Sequence, residues 1–295
     1  MEALKKEHTI YGLDIISPQK DGVRFTFGWD FLDKPGEIPE IDAIIHLAGK
    51  AHDTKNQSAA DVYFKVNTGL TQKIFDWFLA QPSCKKFVFF STAKAAADKV
   101  EGVLTEDVVP SPVGPYGESK IKAEEYILSK MPEDKQVYIF RPCMIHGPGN
   151  KGNLNLLYNV VKKGIPWPLG AFENRRTFTS VENICFAVNG VLTKDVPSGI
   201  YNMGDDEALS TNELIEEICK SLGKKAHIWK LPKGLMNGVA KIGGALHLPL
   251  DPERLRKLTE NYISSNEKIK KALGVDKMPV DARTGLQATL KSFKN

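Results

Sequence analysis

Residues 85–92 read KKFVFFST. Phe87 to Phe90 form an unbroken apolar run with no polar face, so a strand here is buried on both sides. Two small hydroxyl residues, Ser91 and Thr92, follow at once. The same shape recurs on either side: DAIIHLAG (42–49) is an apolar run ending in small residues, and QVYIFRPCMI (136–145) is another. Between them, TGLTQKIFDWFLAQP (68–82) and SKIKAEEYILSK (119–130) carry helical spacing, and the first stops before Pro82. Upstream, TIYGLDI (9–15) and GVRFTFGWD (22–30) read as strands. Buried strands alternating with helices predict an α/β protein, a parallel sheet with helices on both faces. The second half is richer in proline and glycine. Residues 153–164, 180–193 and 210–223 look helical, and GIYNMG (199–204) looks like a strand. The third helix carries a capping-box signature in Ser210 and Glu213, with Gly223 as its stop.

The chain's 295 residues suit one large domain or two intimate ones. Its +4 charge is small, and acidic residues interleave with basic ones in stretches such as ELIEEICKSLGKK. No basic stripe or RNA-binding signature stands out, which argues against a nucleic-acid partner. Cys84, Cys143, Cys185 and Cys219 form no CxxC pair and sit in apolar contexts. Buried free thiols in a reducing, cytoplasmic setting are expected. The N-terminus does not read as a signal peptide. The most apolar late stretch, GLMNGVAKIGGALHLPL (234–250), is broken by Lys241 and too short to span a membrane. His46, His52 and His146 lack ligand spacing, so no metal is expected.

Ligands of open α/β sheets bind beyond the carboxyl ends of the strands. Asp14 ends the first visible strand, where a carboxylate would accept both adenosine ribose hydroxyls and repel a 2′-phosphate, favouring NAD over NADP. A solvated turn aspartate is the alternative reading. Ala48 and Gly49 let a ligand approach the backbone after the third strand, and Ser91 and Thr92 stand at the same rim. In PYGESKIKAEEY (115–126), Tyr116 and Lys120 share a helix face. A phenol with an ordinary pKa of about 10 is a poor base at neutral pH. A neighbouring ammonium and a cationic nicotinamide would favour the phenolate. Tyr116 would then exchange a proton with a substrate hydroxyl as hydride moves.

The ordered series HLAG, FFST, PYGESK, RPCMIHGPG resembles the extended short-chain dehydrogenase/reductase family, the NAD-dependent nucleotide-sugar epimerases and dehydratases. The resemblance runs from about the first helix to near the C-terminus. It implies a Rossmann-like doubly wound sheet over residues 1–151, with 176–204 returning to it. A smaller mixed α/β substrate-binding domain would take 152–175 and 205–295. It implies Thr92, Tyr116 and Lys120 as catalytic residues, with Thr92 bonding the reacting oxygen and Lys120 also holding the nicotinamide ribose. Asp14, Asp30, Phe31, Leu47, Ala48, Gly49 and Ser91, with the nicotinamide-flanking Pro142, Cys143, Met144 and Ile145, would complete the cofactor site. Asn67 matches a helix asparagine that shapes the site; an interior helix kink is the alternative. Asn155, Trp167, Pro168, Leu169 and Arg176 would meet a uridine diphosphate sugar, with core packing as the alternative for Trp167. A second basic group would come from Arg254 or Lys257. A homodimer is implied through the helix of the Tyr–Lys pair and the one before it.

Departures refine this. Ala93 and Lys94 stand where dehydratases of the family have an Asp–Glu pair, which argues against a 4,6-dehydratase. Lys50 and Lys94 are placed to face the substrate rim. His146 replaces the usual tyrosine and is expected to be structural. The glycine-rich GxxGxxG loop and the strand before it have no counterpart in the sequence, and EALKKEH (2–8) reads as the end of the helix that would follow them. The expectation is a start placed downstream or a truncated product, with weak NAD binding and an exposed sheet. The implied activity is a UDP-hexose 4-epimerase working through a 4-keto sugar. A UDP-sugar 4-keto reductase using NAD(P)H is the alternative, and a non-catalytic member is the third reading.

Overall fold

The computed structural model describes residues 3–16, 20–33, 39–51, 59–150, 153–246 and 250–293; His52 lies outside them. The chain forms two compact units. The first comprises 1–98, 109–141 and 185–201, and the second 99–108, 142–184 and 202–295. The chain therefore crosses between them earlier than residue 151, and the returning segment is shorter than 176–204.

In the first unit, Leu4 to His8 make one helical turn, with the Glu7 and His8 amides both donating to the Leu4 carbonyl. Strands β1 (Ile10–Leu13) and β2 (Val23–Phe27) pair in parallel as a two-stranded sheet. The larger sheet has the order β3-β4-β6-β9. It contains β3 (Ala43–His46), β4 (Lys86–Phe90), β6 (Gln136–Pro142) and β9 (Gly199–Met203). Pairings of β4 with β3 and β6 are parallel. Among the described residues, β3 is an edge with β4 as its one neighbour.

Helix α1 (Ala60–Tyr63) continues through a π-helical turn, Phe64–Gly69, into α2 (Leu70–Ala80). The short α3 (Ala93–Ala96) follows β4, and α4 (Pro115–Ser129) follows a loop. The reason for the KFVFF run is now visible. Phe87 and Phe89 are buried on one face of β4 with Val88 on the other. Phe87 meets Phe75 and Phe78 of α2, each at 5.1 Å between ring centroids. Ile127 of α4 and Val137 of β6 close this core.

The second unit holds two small parallel pairs. They are β5 (Val103–Leu104) with β10 (Ile263–Ser264), and β7 (Met144–His146) with β8 (Phe178–Ser180). Helices α5 (Asn153–Lys162), α7 (Thr211–Ser221), α8 (Lys233–Ala245), α9 (Pro252–Thr259) and α11 (Ala282–Ser292) supply most of one apolar core. The short α10 (Glu267–Leu273) ends at Gly274, and α6 (Val181–Thr193) runs from this unit into the first. Helix α7 has the full capping box from Ser210 and Glu213. It stops in a Schellman motif, with Gly223 at φ +67° and the Lys224 amide donating to Cys219.

Phe87→Ala empties the centre of the first unit's core. It should lower that unit's stability by about 3–5 kcal/mol, read as a lower urea midpoint with the fold retained.

Candidate active site

Strand β4 ends at Phe90 and delivers Ser91 and Thr92 to the sheet rim. Thr92 is extended (φ −160°, ψ 150°) and caps α3, accepting from the Lys94 amide at 3.3 Å. Helix α4 starts after Gly114 with Pro115 in its first turn, which places Tyr116 at its head and Lys120 one turn on. The approach of α4 to α3 depends on Gly117, where a Cβ would lie 2.7 Å from the Lys94 carbonyl oxygen. That proximity sets Thr92 beside Tyr116, where its hydroxyl favours the ionised phenol. Tyr63 of α1 sits edge-on to Tyr116, with centroids 6.5 Å apart.

Lys120 is buried. Its Nζ donates to the Phe90 carbonyl at 2.8 Å and lies over the Phe89 ring at 4.8 Å. Across from it is Gly49, where a Cβ would lie 3.0 Å from Lys120 Nζ and 3.1 Å from Asn67 Oδ1. Asn67 stands inside the π turn, whose i→i+5 bond runs from the Leu70 amide to the Lys65 carbonyl. The widened turn carries the fully buried Asn67 amide, which accepts from the Lys50 amide at 2.7 Å and donates to Ser119 Oγ at 2.9 Å. Ser119 in turn donates to the Tyr116 carbonyl at 2.9 Å. π turns recur at functional sites, and this one ties the loop after β3 to α4. The two readings of Asn67, kink and site-shaping residue, describe one arrangement.

Burial shapes the titrations here. It raises the Tyr116 pKa, opposed by the Thr92 hydrogen bond. The same burial pushes Lys120 down to about 8, opposed by Glu124. His46, bonded to Thr71 at 2.9 Å, is pushed to about 3 by burial and by the Lys120 charge, so it is neutral. Desolvation dominates, and Tyr116 is a neutral phenol at neutral pH.

Sequence reasoning missed a buried network behind this rim. Glu124, one turn beyond Lys120 on α4, accepts from Ser91 Oγ and from Arg141, whose Nε and Nη2 both reach it, the latter at 2.6 Å. Both partners of this ion pair are almost fully buried. The Ser91 hydroxyl is thus directed to Glu124. The periodicity Tyr116, Lys120, Glu124 was the available signal; Tyr63 and Ser119 had none as distinctive.

Other predicted residues fall in two places. In the first unit, Asp14 ends β1, and its Oδ1 accepts from the Ile15 amide at 2.7 Å. Phe31 is buried against Phe27, at 4.2 Å between centroids, while Asp30 is exposed. Leu47 is exposed and Ala48 half-buried. Lys50 lies 5.7 Å from the Tyr63 ring centroid, and Lys94 turns back to Asp98, with Nζ 2.7 Å from its carbonyl.

In the second unit, Pro142 is buried, Cys143 and Met144 are half-buried and Ile145 is exposed. Arg176 pairs through its backbone with Leu209 and donates from Nη1 to the Lys257 carbonyl; burial lowers its pKa. Arg254 and Lys257 point outward from α9 and pair with Asp251 and Glu253. The side chains of Trp167 and Leu169 belong to the core, and their backbones pair with residues 227–230. Pro168 between them and Asn155 on α5 are half-buried. His146 is buried between Thr289, 3.0 Å from Nδ1, and Asp205, 3.3 Å from Nε2, a structural role as expected.

A threonine at the carboxyl end of a parallel strand, beside a tyrosine with a buried lysine one turn away, stands at the rim where open α/β sheets bind their ligands. The chain belongs to the NAD dependent epimerase/dehydratase family, whose model matches residues 28–204. It is 30% identical over 227 residues to the UDP-glucose 4-epimerase of Vibrio cholerae, covering 72% of this chain and 66% of that protein. It is 28% identical over 205 residues to the N-acetyl-alpha-D-glucosaminyl-diphospho-ditrans,octacis-undecaprenol 4-epimerase of Escherichia coli O157:H7, covering 67% and 60%. The chain thus spans just under two thirds of the length of these relatives. In fold it is similar to the UDP-glucuronic acid 4-epimerase from Bacillus cereus, solved in complex with NAD. There the TM-score is 0.75 at 19% identity, covering 99% of this chain and 91% of that one.

The Lys120 titration has a visible consequence. Its pKa falls from 10.5 unfolded to about 8 folded, so between these values the unfolded chain binds more protons. Stability should therefore rise with pH across that window, the penalty being full below it and gone above it. Lys120→Met should flatten this rise in denaturant titrations run at a series of pH values.

Proposed function

We propose that this protein is an NAD-dependent UDP-hexose 4-epimerase acting through a 4-keto intermediate. The observation that carries the reading is Thr92 and Tyr116 set side by side at the strand-end rim, with Lys120 buried one turn away, in a chain of this family. The first unit takes the dinucleotide and the second the sugar nucleotide. The site fits a nicotinamide ribose at Gly49, whose missing Cβ leaves room beside the Lys120 ammonium.

Once its own proton has left to solvent, Tyr116 takes the proton of the sugar C4 hydroxyl as hydride leaves C4, and later returns it. Thr92 bonds the same oxygen and holds it in line with Tyr116. With a pKa of about 8, Lys120 is mostly an ammonium at neutral pH. It binds the ribose hydroxyls and lowers the cost of forming the phenolate. The bound nicotinamide supplies the hydride acceptor and donor. Asp14, Asp30 and Phe31 serve the adenosine end; Leu47, Ala48, Gly49 and Ser91 line the rim; Pro142 to Ile145 flank the nicotinamide. Arg176 meets the diphosphate with its forked donor, assisted by Arg254 or Lys257. Asn155 and the Trp167–Leu169 stretch serve the nucleotide.

The test is conversion of UDP-glucose to UDP-galactose, and of their N-acetylated counterparts, followed by chromatography. Turnover with catalytic NAD, and a fall in kcat of about 10²–10⁴-fold in Tyr116→Phe, is the expected result. Stoichiometric consumption of NADH or NADPH with a 4-keto sugar would select the reductase reading. Unchanged activity in Tyr116→Phe would remove the catalytic assignment.

A further inference from the structure

The second unit carries a surface that the proposed reaction does not use. Helix α8 buries Met236, Ala240 and Gly243. A different face presents Leu235, Val239, Ile242 and Leu246, spaced by four, three and four residues, hence one stripe. These side chains are 55%, 44%, 61% and 65% exposed, and nearby Trp229 is 53% exposed. Apolar residues scattered singly on a surface need no explanation, but a contiguous stripe does. The helix also holds Gly234, Gly238, Gly243 and Gly244, four poor helix formers in thirteen residues. Its order therefore owes little to its own propensity.

The charge of the segment itself is one-sided, and the acidic Asp251 and Glu253 of the adjoining α9 are paired with Arg254 and Lys257. From Ile218 to Leu250 the sequence has six lysines and no aspartate or glutamate. Lys225, Lys230, Lys233 and Lys241 are exposed. We infer that α8 with Trp229 is a membrane-surface element that lies on an anionic lipid bilayer, its aliphatic stripe in the acyl boundary and the lysines among the headgroups. Charge complementarity selects this occupant. Nucleic acid would answer the lysines but leave Leu235, Val239, Ile242 and Leu246 exposed. A second copy in an isologous contact would set one lysine-rich rim against another. An anionic bilayer satisfies both features at once, and an exposed tryptophan four residues before the helix suits the headgroup level. Among the described residues no helix is long and apolar enough to cross a membrane, so the contact is peripheral. The inference does not depend on the proposed reaction.

The test is flotation of the whole protein with phosphatidylcholine vesicles, with and without an equal share of phosphatidylglycerol. Binding is expected to the anionic vesicles, with a blue shift of tryptophan emission that Trp229→Phe removes. It should weaken by about tenfold or more in 0.5 M salt, where charge attraction is screened. The double variant Leu235→Glu, Ile242→Glu should lose binding by about tenfold or more while keeping its thermal melt, because both side chains are already in water. Should that variant melt early, Lys230→Glu with Lys241→Glu tests the same contact and should lose binding to anionic vesicles. Absence of flotation with anionic vesicles would overturn the inference. So would binding that neither pair of substitutions changes, or a protein that dimerises through the stripe without binding vesicles.

Discussion

The buried ammonium of Lys120 is the constraint around which the first unit is arranged. An unpaired buried charge is expensive, so several elements must converge on it. The carbonyl at the end of β4 accepts from it, and the Phe89 ring lies beneath it. The loop after β3 passes close enough that a Cβ at residue 49 would crowd Lys120 Nζ and Asn67 Oδ1, and Asn67 pins that loop by two hydrogen bonds to the Lys50 backbone. The phenylalanine core behind β4 is what holds that strand end still. Glu124, buried one turn further along α4, favours the charged lysine and is itself neutralised by Arg141.

Burial acts with opposite signs on the two titrating groups of this rim. It raises the phenol of Tyr116 and lowers the ammonium of Lys120. The pair is thereby set with the proton on Tyr116 and the charge on Lys120 at neutral pH. A neutral phenol is a ready acid toward a developing alkoxide and becomes a base only when positive charge gathers beside it. The Thr92 hydrogen bond already leans that way. For Tyr116 to accept a proton its own must first leave to solvent, and positive charge gathering beside it lowers the cost of that step.

The parallel architecture was legible because two-sided burial leaves an unmistakable mark: KFVFF and VYIF have no polar face. Thr92, Tyr116 and Lys120 were legible because helical spacing and strand ends fix their positions. The α7 cap was legible for the same local reason. The Glu124–Arg141 pair was not, since its partners are seventeen residues apart and meet only through helix–sheet packing. Nor was the protonation state of Tyr116, which depends on burial and on the charge interaction with Tyr63, neither of which a local pattern announces. Trp167 had two readings in sequence, and its side chain lies in the core because residues 227–230 pair beside it. The apolar run 234–250 was read only for its failure to span a membrane; which of its side chains face water is a tertiary fact.

The substitution of histidine at residue 146 shows how one departure from the family pattern is absorbed. A tyrosine offers one hydroxyl at the end of a long ring, whereas an imidazole offers two nitrogens close to the backbone. Both are engaged, one by Thr289 of α11 and one by Asp205 after β9. Asp205 in turn accepts from the Ser180 amide and the Asn183 side chain at the head of α6. For α11 to come this near, residue 285 must be small: a Cβ on Gly285 would sit 2.9 Å from the Ser180 Cβ and 3.4 Å from the His146 Cε1. The shorter side chain at 146, the glycine at 285 and the carboxylate at 205 are one packing solution. It joins β7, β8, the start of α6 and α11 through a buried polar network whose described members all have partners, the condition under which such a network rigidifies its surroundings. Arg176, proposed to meet the diphosphate, lies on the segment that leads into β8 of this network.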